Sequence, residues 1–197
     1  MEFALLTTKI LIMLIGLIGG GWQMVLSYRQ KQMGQLAIAQ ADQPAVVIDR
    51  LLMILYPIAM LIWLVSPERL AWADFHTSPL IAWLGIVIII CGGIGWLWSQ
   101  KSMGSFWSGL AIVQPGHQVI MVGPYRLVRH PMYASFWTLG LGGLLATHNL
   151  AVSLLFLAHV FVVSLSAKGE EGILRKNVPG YMEYELRVRW RLIPGIY

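Results

Sequence analysis

Apolar residues gather along this chain in long runs, separated by polar connectors. The first run covers roughly Ala4 to Leu26, and from Ile10 it proceeds through ILIMLIGLIGGGWQMVL without a charge. With Lys9 snorkelling at one end it reaches spanning length. It lacks a basic leader and a small-residue cleavage site, so it is expected to be a retained span. Gly16, Gly19, Gly20 and Gly21 suggest a face where helices approach closely. A polar connector, Ser27 to Asp49, leads to a second run, Val46 to Val65, which holds Pro57 as a possible kink. Asp49 and Arg50 at its start are placed to pair. A short loop, Ser66 to Ser78, precedes a third run, Pro79 to Trp98. A long connector, Ser99 to His130, follows. The fourth and fifth runs, Pro131 to Thr147 and Leu150 to Ala167, are separated so briefly that they predict a tight helical hairpin. In the tail, EEGILRK and then PGYMEYELRVRW predict a helix extension, a turn and an amphipathic surface helix.

The pattern therefore predicts an all-α integral membrane protein with about five transmembrane helices. Residues 1–98 form three N-terminal spans and residues 99–197 a second half, within one membrane domain. Composition agrees: 57% of residues are hydrophobic and 12% charged, against about 25% charged in soluble domains. Mean hydropathy is +0.68. Among the nine tryptophans, Trp63 and Trp72 are candidates for the interfacial belt. The single cysteine, Cys91, supports neither a disulfide framework nor a zinc site and is expected to be a small core residue. No metal site is expected.

Charge sets an orientation. Arg29, Lys31, Arg50, Lys101, Arg126, Arg129, Lys168, Arg175, Lys176, Arg187, Arg189 and Arg191 would share one side, 12 of the 14 basic residues. Only Lys9 and Arg69 fall on the other. The positive-inside rule then places the N-terminus outside and the tail in the cytoplasm. The net charge of +5 is not gathered on one soluble face, so nucleic acid is not expected as a partner.

The densest chemistry lies in His117 to Tyr133, HQVIMVGPYRLVRHPMY, on the same side as the tail. Gly123-Pro124 marks a turn. Pro131 suits the first position of a helix, and His130 before it is pushed out of helical geometry into the capping position. The helix N-terminus would attract a carboxylate or phosphate, and Tyr125, Tyr133 and Trp137 offer ring faces to a cation. S-adenosylmethionine carries both a carboxylate and a sulfonium. The alternative is a juxtamembrane anchor, with Arg126 and Arg129 on lipid headgroups. Glu170 and Glu171, at the end of the fifth run, mark either a site or a solvated helix end, and Lys168 is spaced to pair with Glu171. His159, in mid-span, is either a functional residue or a core histidine bonded to a neighbour.

At Trp107-Ser108, Gly116-His117, GPYRLVRHPMY, Glu170-Glu171, Tyr181, Tyr184 and RLIPGIY, the chain resembles the isoprenylcysteine carboxyl methyltransferase and phospholipid methyltransferase superfamily. The resemblance covers roughly Trp107 to Tyr197. It implies a membrane-embedded methyltransferase that uses S-adenosylmethionine, held by the loop before the hairpin and the helix after it. Carried over, His117, Gln118, Val119 and Ile120 would contact the cofactor largely through backbone. Tyr125, His130, Pro131, Met132 and Tyr133 would line its pocket, and Glu170 would be the acidic contact. Glu170 and His130 are the candidate catalytic groups, able to take a proton from an amine substrate. The chain departs from the pattern at Ile112, where the family often has Gln or Glu. It departs again at Ser166, where the carboxyl methyltransferases have an Arg implied in substrate handling.

The expected activity is methyl transfer to an isoprenoid or other lipid-like acceptor reached from the bilayer, with isoprenylcysteine-type carboxyl O-methylation foremost. Three alternatives stand beside it: phospholipid N-methylation, an NADPH-dependent sterol-type reductase, and a non-catalytic membrane subunit. Sterol reductases usually have Asn where Met132 stands, and the Ser at 166 fits the last alternative.

Overall fold

A computed structural model describes residues 6–15, 18, 25, 28, 43–107, 113 and 116–196, without the side chains of 43–47 and 105. The described chain is helical: α1 (Leu6–Ile15), α2 (Gln43–Val65), α3 (Pro79–Met103), α4 (Pro131–Thr147), α5 (Leu150–Asn177) and α6 (Tyr181–Arg187). Among the described residues, three helices have segments long and apolar enough to cross a membrane: Ile48–Val65, Pro79–Met103 and Leu150–Asn177. The 17 residues of α4 rise about 26 Å. About half of the first predicted run, including its glycines, and most of the following connector lie outside the described residues, as do Ser108 and Ile112.

The α3–α4 contact is close because glycine allows it. A Cβ on Gly85 would stand 2.6 Å from the Ala146 amide nitrogen, and one on Gly142 would stand 2.7 Å from that of Ile89. Ala82, Ile86, Ile89 and Ala146 form the core of this seam, with Leu11 and Ile15 of α1 packed on it. A second core joins Ala59 and Trp63 of α2 to Val152 of α5.

The predicted hairpin forms, and one residue organises it. His148 takes a left-handed conformation (φ 52°) that ends α4. Asn149 then caps α5, its side chain accepting from the Val152 N–H at 3.2 Å. The same side chain donates to Leu70 O at 2.9 Å and Asp74 Oδ1 at 2.7 Å. Asn149 is fully buried, so the loop before α3 is bolted to the hairpin tip. The tail also follows expectation: α5 continues to Asn177, Gly180 (φ 82°) makes the turn, and α6 buries Tyr181 and Tyr184.

Three expectations are corrected. Trp63 is a core residue, 2% exposed, with the Lys9 ammonium 5.4 Å above its ring; Trp72, 78% exposed, remains a belt candidate. Cys91 faces outward instead of into the core. Asp49 pairs with His159 of α5 rather than with its neighbour Arg50.

Candidate active site

The site is assembled where the loop before α4, the end of α5 and the segment after α6 converge. His130 is the N-cap of α4, and Pro131 occupies the first turn, where its missing N–H costs nothing. The His130 imidazole is 8% exposed and lies between two carboxylates. Its Nδ1 is 3.7 Å from Glu170 Oε2, and its Nε2 is 3.3 Å from Glu171 Oε1. One turn along α4, the Tyr133 ring stacks on His130 with centroids 5.3 Å apart and planes 7° apart. The Tyr133 hydroxyl donates to Glu170 Oε1. His130, Tyr133 and Glu170 thus form one corner, as the sequence pattern predicts.

The two glutamates divide the work. Glu171 is fully buried and bound by cations: Arg129 Nε donates to it at 2.8 Å, and Arg191 reaches both its oxygens from Nε and Nη2 at 2.9–3.1 Å. Buried carboxylates persist when paired and fully hydrogen-bonded in this way. Its partners are these arginines, His130 and, at 3.8 Å, Arg175, rather than Lys168. Glu170 keeps a side chain 21% exposed, next to His130. Arg129 is no headgroup anchor: its side chain is 7% exposed, and its Nη1 donates to the carbonyls of Val188 and Arg189 at 2.7 and 2.8 Å. The backbones join as well, the N–H groups of Arg129 and His130 donating to Trp190 O and Arg191 O at 2.9 and 2.8 Å. Residues 188–191 therefore form a strap over the loop.

The remaining candidates surround this corner. Tyr125 is buried in the 3-10 turn Gly123–Arg126, where its carbonyl accepts from the Tyr184 hydroxyl at 2.8 Å. Burial first, then the nearby Tyr184 and Glu170, push its phenol well above the usual range, so it stays a neutral donor. Met132 Sδ accepts from Trp107 Nε1 at 3.2 Å. Val119 packs on the cluster of Val178, Tyr181 and Tyr184, while Gln118 is exposed and Ile120 half-buried. His117 stacks on Phe106, centroids 4.8 Å apart, and burial lowers its pKa below the usual value.

Some participants carried no readable signal. Arg191 lies among several tail arginines, and only the strap geometry picks it out. The Gln100 amide and Trp96 Nε1 are buried on one face of α3 without hydrogen-bond partners among the described residues. Trp96 lies inside the third apolar run and Gln100 just beyond its end, where the pattern of residues gives neither any prominence.

Residues 83–175 match the isoprenylcysteine carboxyl methyltransferase family. The resemblance is thereby borne out over the central loop, α4 and most of α5, including both glutamates, and the match also takes in α3, ahead of the Trp107 at which the resemblance starts. The family is one of membrane methyltransferases, and the spanning helices agree with it. The strap and α6 lie beyond the matched region. Among curated relatives, the chain is 28% identical over 105 residues to the uncharacterized protein YpbQ of Bacillus subtilis, covering 53% of this chain and 56% of that one. It is 26% identical over 131 residues to the nickel-cobalt-cadmium resistance protein NccN of Alcaligenes xylosoxydans xylosoxydans, 64% of this chain and 60% of that one. It is 30% identical over 119 residues to the cobalt-zinc-cadmium resistance protein CzcN of Cupriavidus metallidurans, 59% of this chain and 50% of that one. The matches span 50–60% of the length of these relatives.

Proposed function

We propose that the protein is an S-adenosylmethionine-dependent methyltransferase that modifies an isoprenoid or other lipid-like acceptor at a membrane surface. The observation that carries this is the corner of His130, Tyr133 and Glu170 at the N-terminus of α4, within the region that matches the methyltransferase family. The domain reading goes with it: residues 99–197 are the methyltransferase-like core and residues 1–98 its membrane support. The basic residues favour the orientation with the N-terminus outside and the site in the cytoplasm.

The residues present fit such a cofactor. His117 Nδ1 is buried and unpartnered among the described residues, so a polar ligand would satisfy it. His130 makes no side-chain capping bond, which leaves the first N–H groups of α4 free to meet a carboxylate. The stacked His130–Tyr133 rings and the Glu170 carboxylate suit a positive centre. Bound there, S-adenosylmethionine would supply an electrophilic methyl group on sulfur. The chain's task is then alignment and water exclusion. Tyr133 and His130 hold Glu170 in place, the Glu171 cluster holds His130, and the strap covers the loop. Glu170 is the group placed to receive a proton if the acceptor must lose one.

Carboxyl O-methylation is the reaction in the family's name, and N-methylation is the other acceptor chemistry within reach of the same corner. The metal-resistance names of two relatives carry no residue geometry onto this chain. Calorimetry on the detergent-purified protein tests the proposal. Saturable S-adenosylmethionine binding that weakens at least tenfold in His130→Ala and Glu170→Ala is expected. An absence of binding by the folded protein would refute it.

A further inference from the structure

α6 and the strap bury Tyr181, Tyr184, Val188 and Leu192, and leave Met182, Leu186, Trp190 and Ile193 exposed, Leu186 at 78%. Exposed apolar side chains gathered in this way mark a surface that meets something other than water. The central loop runs beside it. The Tyr184 hydroxyl donates to Tyr125 O at 2.8 Å, and further along both segments the Arg129 and His130 amides donate to Trp190 O and Arg191 O. Between these ties, Arg126 and Leu127 on the loop and Leu186, Arg187 and Arg189 opposite them are all exposed. Apolar and cationic side chains therefore share one pair of bound segments. The ties also fix its depth. The Tyr125 hydroxyl donates to Sδ of Met103, the last residue of the spanning helix α3, at 3.8 Å. Arg191 holds Glu171 near the end of α5, another spanning helix. The paired segments lie where α3 and α5 leave the apolar layer, at the depth of lipid headgroups.

Charge decides the partner. Glu185 is engaged by Arg175 at 2.6 and 2.8 Å, and Glu171 by Arg129 and Arg191. Glu183 is the one exposed acid of α6, against the outward cations Arg126, Arg187 and Arg189. Guanidinium groups take lipid phosphates, and apolar side chains at the same depth enter the acyl boundary beneath them. We propose that α6, the strap and the central loop seat together on an anionic lipid surface, and that this seating holds the strap closed over the loop. Leu186 and Trp190 carry the apolar part, and Trp190 O is itself an acceptor for the Arg129 amide. Fixing the Trp190 side chain in the interface therefore fixes the bond that closes the loop. Seating is independent of methyl transfer. Under the methyl-transfer reading, it makes cofactor binding respond to the charge of the surrounding lipid.

Amide hydrogen exchange on the full chain in lipid nanodiscs tests this without any cofactor. One preparation is placed in phosphatidylcholine alone and in equal parts phosphatidylcholine and phosphatidylglycerol. Peptides covering Arg129–His130 and Leu186–Arg191 are expected to exchange at least tenfold more slowly in the anionic discs, with the difference shrinking as salt is raised. Amides in the middle of α5 should exchange alike in both. A variant carrying Arg126→Gln, Arg187→Gln and Arg189→Gln should match the wild type in the neutral discs and lose the slowing in the anionic ones. Equal exchange of the strap and loop in the two lipids would overturn the proposal. So would slowing of α5 by the same factor, which would mark a general stabilisation, or a triple variant that keeps the wild-type difference. The wild-type comparison decides even if the variant fails to fold. A failure to bind S-adenosylmethionine would count against methyl transfer and leave this result untouched.

Discussion

Arg129 Nε donates to Glu171 Oε1 over 2.8 Å, and this buried bond ties the loop before α4 to the end of α5. Arg191 closes on the same carboxylate from the strap, so three separate segments meet at one side chain. Removing one partner of such a cluster leaves an uncompensated charge. Glu171→Ala is expected to cost about 3–5 kcal/mol, read as a large fall in Tm in detergent. A variant as stable as the wild type would show that the cluster does not hold the fold.

Tyr133→Phe separates Glu170's positioning from the stack. The ring remains on His130, and only the hydroxyl bond to Glu170 is lost. Hydrogen bonds to charged groups contribute about 1.5–3 kcal/mol. S-adenosylmethionine affinity is expected to fall at least tenfold, with Tm within a few degrees of the wild type. Calorimetry and a melting curve on the same sample check both halves.

Asn149→Ala tests the opposite end of the hairpin. It deletes the cap of α5 and the bonds to Leu70 and Asp74, with an expected loss of about 1–3 kcal/mol. Cofactor affinity should be unchanged in the folded fraction, because the length of α4 separates this residue from the corner. Reduced affinity in that fraction would show coupling between the two ends.

His117 supplies a pH dependence. Burial holds its folded pKa below the unfolded value, so the unfolded chain takes up the proton first. Stability from this residue is therefore present above about pH 6.5 and is lost as pH falls below it. His117→Phe, which keeps a ring against Phe106, should flatten that part of the stability–pH curve. An unchanged slope between pH 7 and 5 would assign it to other groups.

Much of this architecture is legible in the residues. Run lengths mark α2, α3 and α5, and the brief Thr147–Leu150 link dictates an antiparallel hairpin. The His-Pro step places the N-cap of α4, and the Pro-Gly step places the turn before α6. The division between Glu170 and Glu171 is not legible. Successive helical residues point about 100° apart, and which one faces the arginines depends on how α5 is rotated by packing. Trp63 and Trp72 show the same limit: composition favours the interface for both, but the Ala59–Val152 contact draws Trp63 inside. The Asp49–His159 pair joins residues on two helices far apart in sequence, with no periodicity linking them.

The strap also sets the order in which the site can mature. Arg129 and His130 bond through their backbones to Trp190 and Arg191, which leave the ribosome only after both hairpin helices have been made. The central loop therefore remains unfinished while α4 and α5 enter the bilayer. On the proposed reading, cofactor binding would follow insertion, and truncation before Trp190 is expected to yield an inserted protein whose central loop lacks its backbone partners.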